Sequence, residues 1–154
     1  MMAKEFSDEY FMEKALEEAK KSELEEEVPI GAIVVFENQI ISTGRNKRET
    51  TNNALHHAEI EAIYKACKKL NRWRLIGCSI YVTLEPCPMC AGAIINSRLE
   101  KVVYGTGDPK AGSCGTVVNL FDLPYNHKPI VIKDILKTEC SSILTKFFKK
   151  LRNR

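Results

Sequence analysis

Two short clusters in the sequence combine side chains that bind metal ions. The first contains His57 and Glu59, and the second contains Cys87 and Cys90. Zinc is bound well by imidazole and thiolate, and a catalytic zinc site has three protein ligands plus an open position for water. Cys87 and Cys90 would face the same way on a helix, and Pro88 between them suits its first turn. The spacing therefore predicts a zinc site formed by His57, Cys87 and Cys90.

Glu59 lies two positions from a predicted ligand but is not needed to hold the metal. A helix start lowers the pKa of nearby thiols, so both cysteines would bind as thiolates and, with a neutral His57, balance the charge of zinc. The remaining carboxylate would lie close to a zinc-activated water, as a general acid/base requires. We therefore predict catalytic chemistry at the zinc, with Glu59 moving the protons.

Two other functions of the cysteine pair need to be weighed. A Cys-x-x-Cys pair alone is also typical of thioredoxin-like redox proteins. A structural zinc would need a fourth ligand, which His56, His127 or Cys114 could supply. The cluster upstream of the cysteines disfavours the redox function, and the spare Glu59 favours a catalytic zinc over a structural one.

Strand and helix patterns alternate along the chain and indicate how the clusters are positioned. Such alternation predicts a sheet covered on both faces, a three-layer α/β/α sandwich, in one domain spanning residues 1–154. The core should include Trp73 and Tyr81, and Tyr64 should face inward from its helix. The predicted elements are a helix capped by Ser7, strands 30–36, 39–43, 79–83, 101–104 and 130–133, helices 58–70, 88–97 and 138–152, and loops 45–55 and 105–115.

One geometric condition applies to the first cluster. Positions i and i+2 of a regular helix face nearly opposite ways, so His57 and Glu59 could not share a site within one. They could share it if His57 lay at the helix entrance, before the backbone becomes helical. The polar loop before Leu55 makes this arrangement plausible.

Composition limits the class of protein. The 154 residues are 44% hydrophobic and 28% charged, which is ordinary for a globular domain. The chain contains no apolar run of membrane-spanning length and no signal-peptide core at its start, so we expect a cytoplasmic protein with no membrane partner. Six cysteines then indicate metal binding or free thiols rather than disulfides. The net charge of +3 is too small to indicate a polyanion partner, although the C-terminal end is basic.

The combined pattern H-x-E…P-C-x-x-C is the signature of zinc-dependent nucleobase deaminases. Further segments are similar, in the same order, to bacterial tRNA-specific adenosine deaminases. The resemblance covers nearly the whole chain, and the segments after Ser97 separate the tRNA enzymes from other zinc deaminases. These segments are 27–32, 45–46, 57–60, 81–87, 89–92, 97–98, 105, 108–110, 126–127 and 147–149.

The resemblance implies a five-stranded mixed sheet, one Zn²⁺ per subunit, a homodimer, and deamination of adenosine to inosine at the wobble position of a tRNA anticodon, expected to be an arginine tRNA. The metal ligands would be His57, Cys87 and Cys90, and Glu59 would be the catalytic acid/base. Single-stranded anticodon bases are the kind an enzyme can splay out and stack on aromatic side chains. The residues expected to contact the RNA are Asn46, Ala58, Ile30, Leu84, Asp108, Lys110 and Phe148, together with Arg152.

Two alternatives to the tRNA enzyme share part of this pattern. A deaminase of a free base or nucleoside, such as a guanine deaminase, would have the same metal motif, but it would not require residues 108–110 or the basic end at Phe147 and Phe148. A silent RNA-binding subunit would not need to keep Glu59. One departure from the family is His56, because relatives usually have a small residue before the His-Ala-Glu triplet. Two adjacent histidines leave open which one is the ligand, and the register to Glu59 favours His57.

Overall fold

The computed structural model describes residues 5–153, so Arg154 of the basic end and the first four residues lie outside it. Within that range the chain forms five strands and four α-helices, with one 3-10 turn. The strands are β1 (Gly31–Phe36), β2 (Gln39–Arg45), β3 (Cys78–Leu84), β4 (Lys101–Thr106) and β5 (Ile130–Ile132). The helices are α1 (Asp8–Leu24), α2 (Ala58–Leu70), α3 (Pro88–Ser97) and α4 (Lys137–Arg152), and the 3-10 turn is Leu120–Asp122.

The five strands make one mixed sheet in the order β2-β1-β3-β4-β5. Strand β1 is antiparallel to both of its neighbours, whereas β3, β4 and β5 are parallel to one another. The β1–β2 hairpin turns through Glu37 and Asn38, which both have positive φ angles, as a two-residue turn between twisted strands requires. The parallel half brings the carboxyl ends of β3 and β4 to the same edge.

Helices cover both faces of the sheet. Residues of α1 pack on one face around Ile33, Tyr81 and Val103, and Cys140 of α4 joins them there. Residues of α2 and α3 pack on the other face, around Ile80 and Val82. The expected three-layer α/β/α sandwich with a five-stranded mixed sheet is therefore confirmed.

Two predicted core residues are instead exposed. Trp73 is 53% exposed, and its ring stacks with the guanidinium of Arg74 at 4.1 Å. Tyr64 is also exposed, and Lys68 lies over its ring one turn along α2. Tyr81 is buried as predicted.

The element boundaries differ from the sequence prediction by a few residues. The largest differences are in β2 and β4, which each extend two residues beyond the predicted end, so that β4 includes Gly105 and Thr106 where a loop was predicted. A β-carbon at Gly105 would collide with the Cys140 side chain, so α4 packs directly against the strand there. Among residues 5–153, no helix has the length and apolarity needed to cross a bilayer.

Candidate active site

His57, Cys87 and Cys90 come together where α2 and α3 begin. Their ligand atoms all lie within 4.8 Å of one another. The Nδ1 atom of His57 is 3.5 Å from the sulfur atom of each cysteine. A tetrahedral zinc with ordinary bond lengths would separate a nitrogen ligand from a sulfur ligand by about 3.6 Å. The donor types and their spacing therefore fit a zinc ion.

Both helix starts have the geometry that the sequence requires of them. His57 is the N-cap residue of α2, with φ −83° and ψ 157°, and is therefore extended rather than helical. Cys87 is the N-cap residue of α3, and Pro88 is the first helical residue after it. Because His57 lies outside the helical repeat, its ring and the Glu59 carboxyl can face the same site.

The second histidine of the pair has other partners. The Nε2 atom of His56 lies 2.5 Å from Oε2 of Glu61, and its Nδ1 atom lies 3.0 Å from the hydroxyl oxygen of Thr51. Lys47 and Lys65 contact the same Glu61 carboxylate. His56 thus belongs to a separate ion-pair cluster, and the three-residue metal group contains His57.

A fourth protein ligand is absent from this group among residues 5–153. His127, one of the candidates, has its Nε2 atom 2.6 Å from the backbone carbonyl oxygen of Leu99 and so has a structural contact. His56 is held by Glu61, and Cys114 is not part of the group. A three-ligand set leaves one position open for water, which favours a catalytic site over a structural one.

The two thiols differ in acidity because they are hydrogen-bonded to each other. Hydrogen bonding from the Cys90 thiol and the His57 ring stabilises the Cys87 thiolate and lowers its pKa to about 4. The pKa of Cys90 rises, first because its thiol donates to Cys87 and also because it is buried. Cys87 is therefore ready to bind a cation, and a bound cation would displace the Cys90 proton.

Glu59 is a buried carboxyl group beside the metal group. Its side chain is 4% exposed, and burial raises its pKa to about 7 even though the nearby His57 opposes the shift. An acid/base catalyst works best when its pKa lies near the operating pH. The fold thus gives Glu59 the property that general acid/base catalysis needs, without using it as a ligand.

The metal group and Glu59 lie in a cleft of about 390 Å³, which we call the catalytic cleft. All seven residues predicted to contact RNA line this cleft together with Glu59, His57 and Cys87. They are Ile30, Asn46, Ala58, Leu84, Asp108, Lys110 and Phe148. Arg152 lines an adjacent depression of about 460 Å³ that shares Leu84, Asp108, Lys110 and Phe148 with the catalytic cleft.

Asn46 is partly engaged within the protein. Its side-chain N–H donates to the Val28 carbonyl at 3.2 Å, and its side-chain oxygen accepts from the Arg48 backbone N–H at 3.2 Å. A carboxamide has two donors and two acceptor sites, so one of each is left for a ligand. The existing hydrogen bonds also fix the orientation of the amide plane.

Sequence reasoning missed two residues that shape the catalytic cleft. Arg48 lines the cleft directly, and Glu27 accepts hydrogen bonds from the loop that carries it. The carboxylate of Glu85, in the turn before α3, accepts hydrogen bonds from residues 108–116. No periodicity or motif connects these loops with their acceptors, because each contact joins residues more than 20 positions apart.

The remaining cysteines behave as bystanders. Cys78, Cys114 and Cys140 are buried, Cys67 is half-buried, and burial raises the pKa of all four thiols. Their thiols therefore stay protonated near neutral pH.

Sequence comparisons agree with this site. The family model described as MafB19-like deaminase matches residues 6–152. A tRNA-specific adenosine deaminase of Bacillus subtilis is 49% identical over 96% of this chain and 92% of the relative. The enzyme of the same name from Aquifex aeolicus is 45% identical over 94% of this chain and 96% of the relative. The chain belongs to the family of tRNA-specific adenosine deaminases. It is a deaminase, and the resemblance found in the sequence is confirmed.

Solved structures extend the comparison to the fold. A structure described as a tRNA:A34 deaminase, from work on A-to-I editing at the wobble position of transfer RNA, superposes with a TM-score of 0.85. It is 41% identical and covers 88% of this chain and 99% of its own. A guanine deaminase from Bacillus subtilis is more distant, at 33% identity and a TM-score of 0.65. The match covers 97% of this chain and 96% of the guanine deaminase chain. The deaminase fold is thus shared by family members and by a relative named for a free base.

Proposed function

We propose that this chain, as a single domain, hydrolyses adenosine to inosine at the wobble position of a tRNA anticodon. The observation that carries the proposal is a buried Glu59 with a near-neutral pKa, beside a His-Cys-Cys group in a cleft open to solvent. The relatives named as tRNA-specific adenosine deaminases support the choice of substrate. A cytoplasmic location, a homodimeric assembly and an arginine tRNA as the substrate remain predictions.

The proposed cofactor is one Zn²⁺ held by His57, Cys87 and Cys90. When bound there, zinc would supply positive charge that lowers the pKa of a water molecule toward neutral. Two thiolates and one imidazole would leave this site with a net charge near zero. That balance suits an ion enclosed where Cys90 is fully buried.

Glu59 is the proposed proton carrier of the reaction. It takes a proton from the attacking water as oxygen bonds to C6 of adenine, and it delivers that proton to ring N1. It then passes the second water proton to the amino group, and the C6–N bond breaks to release ammonia and leave hypoxanthine. The balance is water and adenine in, hypoxanthine and ammonia out. A buried carboxyl that is not a metal ligand can serve first as base and then as acid in these steps.

The other residues lining the catalytic cleft would bind the RNA. Asn46 has a free donor and acceptor for the edge of the base, and the backbone N–H of Ala58 lies at the start of α2 beside it. Ile30 and Leu84 would form apolar walls for the ring. Phe148 is 40% exposed at the cleft and packs against buried Phe147, so its ring is fixed for stacking on a base.

Asp108, Lys110 and Arg152 would contact the nucleotides beside the target. Asp108 and Lys110 line both the catalytic cleft and the adjacent depression, which Arg152 borders. A basic side chain near such a path is suited to phosphate, because phosphate contacts supply much of the affinity for nucleic acid. A free base would not need these contacts.

The test is inosine formation in an anticodon stem-loop with adenosine at the wobble position. The matched control is the same stem-loop with guanosine there. Phe148→Ala and a chain trimmed after Phe147 should keep their metal but lose activity on the stem-loop, because stacking is worth roughly 1–3 kcal/mol per base. The trimmed chain should also show a flatter salt dependence of binding.

The second candidate is a deaminase of a free base or nucleoside, which the guanine deaminase relative makes specific. Guanine, cytosine and free adenosine should therefore be assayed beside the stem-loop, with the intact and the trimmed chain. Efficient turnover of any of them, with no inosine in the stem-loop, would replace the tRNA proposal with this one.

A further inference from the structure

Two buried carboxylates lie beside the catalytic cleft without belonging to the metal group. Glu27 is 1% exposed and Glu85 is 2% exposed. Charged side chains are rarely buried this completely unless they are paired. Among the ion pairs of residues 5–153, none includes either carboxylate. Their hydrogen-bond donors are backbone N–H groups, and the Thr116 hydroxyl also donates to Glu85.

Glu27 holds the loop between β2 and α2. Its Oε1 atom accepts from the Glu49 backbone N–H at 3.1 Å, and its Oε2 atom accepts from the Thr50 backbone N–H at 2.6 Å. Arg48 precedes these two residues and lines the catalytic cleft. Glu27 therefore anchors the segment that carries one of the basic residues of the cleft.

Glu85 holds the loop after β4 in the same manner. Its Oε1 atom accepts from the Asp108 backbone N–H at 3.1 Å, and its Oε2 atom accepts from those of Cys114 and Thr116 at 2.9 and 3.1 Å. A β-carbon at Gly112 would collide with the carboxylate, so the loop is wrapped directly around it. Lys110 lies within this loop and is the other basic residue of the cleft.

We propose that Glu27 and Glu85 are positioning residues that fix Arg48 and Lys110 for the phosphates of the bound RNA strand. The proposal rests on the proposed function, which supplies the RNA. Each anchor uses both carboxylate oxygens as acceptors of backbone N–H groups. The side chain of glutamine has the same shape, but in either orientation of its amide the NH₂ group faces one of the backbone N–H donors. Only an ionised carboxylate satisfies these donors.

The first experiment needs no RNA. Glu27→Gln should speed the exchange of the Glu49 and Thr50 amide hydrogens by about tenfold or more, since a hydrogen bond to a charged acceptor is worth at least that in opening equilibrium. Glu37→Gln makes the same charge change at an exposed turn at the far end of β1 and should leave these amides unchanged. Unchanged exchange in Glu27→Gln would overturn the anchor.

The second experiment asks whether the anchor acts through its own cation. Glu27→Gln should raise KM for the stem-loop more than it lowers kcat, with metal content unchanged. Arg48→Ala should then cost several-fold less in the Glu27→Gln background than in the parent, because the cation is already misplaced. Lys110→Ala should cost the same in both backgrounds. Fully additive effects of Glu27→Gln and Arg48→Ala would overturn the positioning role.

The reciprocal cycle tests Glu85. Lys110→Ala should lose most of its effect in Glu85→Gln, whereas Arg48→Ala should keep its effect there. A merely structural defect would weaken both cations alike, so equal losses would contradict the assignment. If the parent enzyme forms no inosine, the proposed function fails. In that case, faster exchange of the Glu49 and Thr50 amide hydrogens in Glu27→Gln would still show that Glu27 anchors its loop, and only the part of the anchor in RNA binding would be overturned.

Discussion

Replacing Glu59 by glutamine should separate proton transfer from both metal binding and folding. Glutamine keeps the size and polarity of the protonated acid, but its amide can neither take up nor release a catalytic proton near neutral pH. A general acid/base is worth ~10²–10⁴-fold in turnover, and Glu59 would act in more than one proton transfer. We therefore expect the rate of inosine formation to fall by at least ~10²-fold, with metal content and stem-loop affinity unchanged. Turnover within a few-fold of the parent would remove Glu59 from the mechanism.

The same variant should alter how stability depends on pH once the metal is removed by a chelator. Burial raises the pKa of Glu59 to about 7 from an ordinary 4.5, so the folded chain holds this proton more tightly than the unfolded chain. The associated free energy of unfolding is present below about pH 4.5 and is lost as the pH rises to about 7. The difference in pKa corresponds to a loss of roughly 3 kcal/mol.

Glu59→Gln removes that loss because it resembles the protonated acid at every pH. The metal-free variant should match the metal-free parent at about pH 4 and be more stable by up to ~3 kcal/mol at about pH 8. Urea unfolding at both pH values measures the difference. A stability difference that is the same at both would show that Glu59 is not held protonated by burial, and the argument for its acid/base role would fail.

Three further predictions concern the metal, packing and acid stability. His57→Ala should lose the metal while His56→Ala retains it, by elemental analysis; the opposite result would show that His56 is the ligand. Gly44→Ala should lower the free energy of unfolding by about 1–3 kcal/mol, since its β-carbon would collide with α2, whereas a β-carbon at Gly92 meets no neighbour and Gly92→Ala should not destabilise. Burial opposes ionisation of Glu27, but hydrogen bonds from Thr50 and Glu49 hold its pKa below the usual range. Its stabilisation is therefore present above about pH 4.5 and lost in stronger acid, and Glu27→Gln should flatten the acid limb of a pH–stability curve.

The grouping of His57, Cys87 and Cys90 was predictable from the sequence because these residues obey local rules. Cys87 and Cys90 share one helix start, and His57 had to precede α2 for Glu59 to reach the same site. The observed backbone angles of His57 match that requirement. The position of the Trp73 side chain was not predictable in this way. Its ring stacks with Arg74, and a hydrophobic pattern in the sequence does not record such stacking.

The loops of the catalytic cleft were unpredictable for a different reason. Residues 46–57 and 107–119 have no periodic pattern, and their shape depends on single acceptors elsewhere in the chain. Sequence reasoning identified Asp108 and Lys110 through family resemblance but had no signal for Arg48. A buried carboxylate that accepts several backbone N–H groups can be recognised only when the loop and the acceptor are seen together.

The helix starts show where this fold gives up local stability for chemistry. An N-cap side chain normally accepts a hydrogen bond from the first turn, as Ser7 does from the Tyr10 N–H in α1. Within residues 5–153, the N-cap side chains of α2 and α3, His57 and Cys87, make no such bond. A good cap is worth about 0.5–2 kcal/mol. At α2 and α3 the capping position is given instead to side chains of the metal group. The first-turn N–H groups of both helices then face the site, as do the positive ends of the helix dipoles. They favour the thiolate form of the cysteines and leave the backbone N–H of Ala58 available to a ligand. Two residues of the metal group thus occupy the N-caps of α2 and α3. We expect His57→Ser or Cys87→Ser to give a better-capped protein that binds the metal poorly.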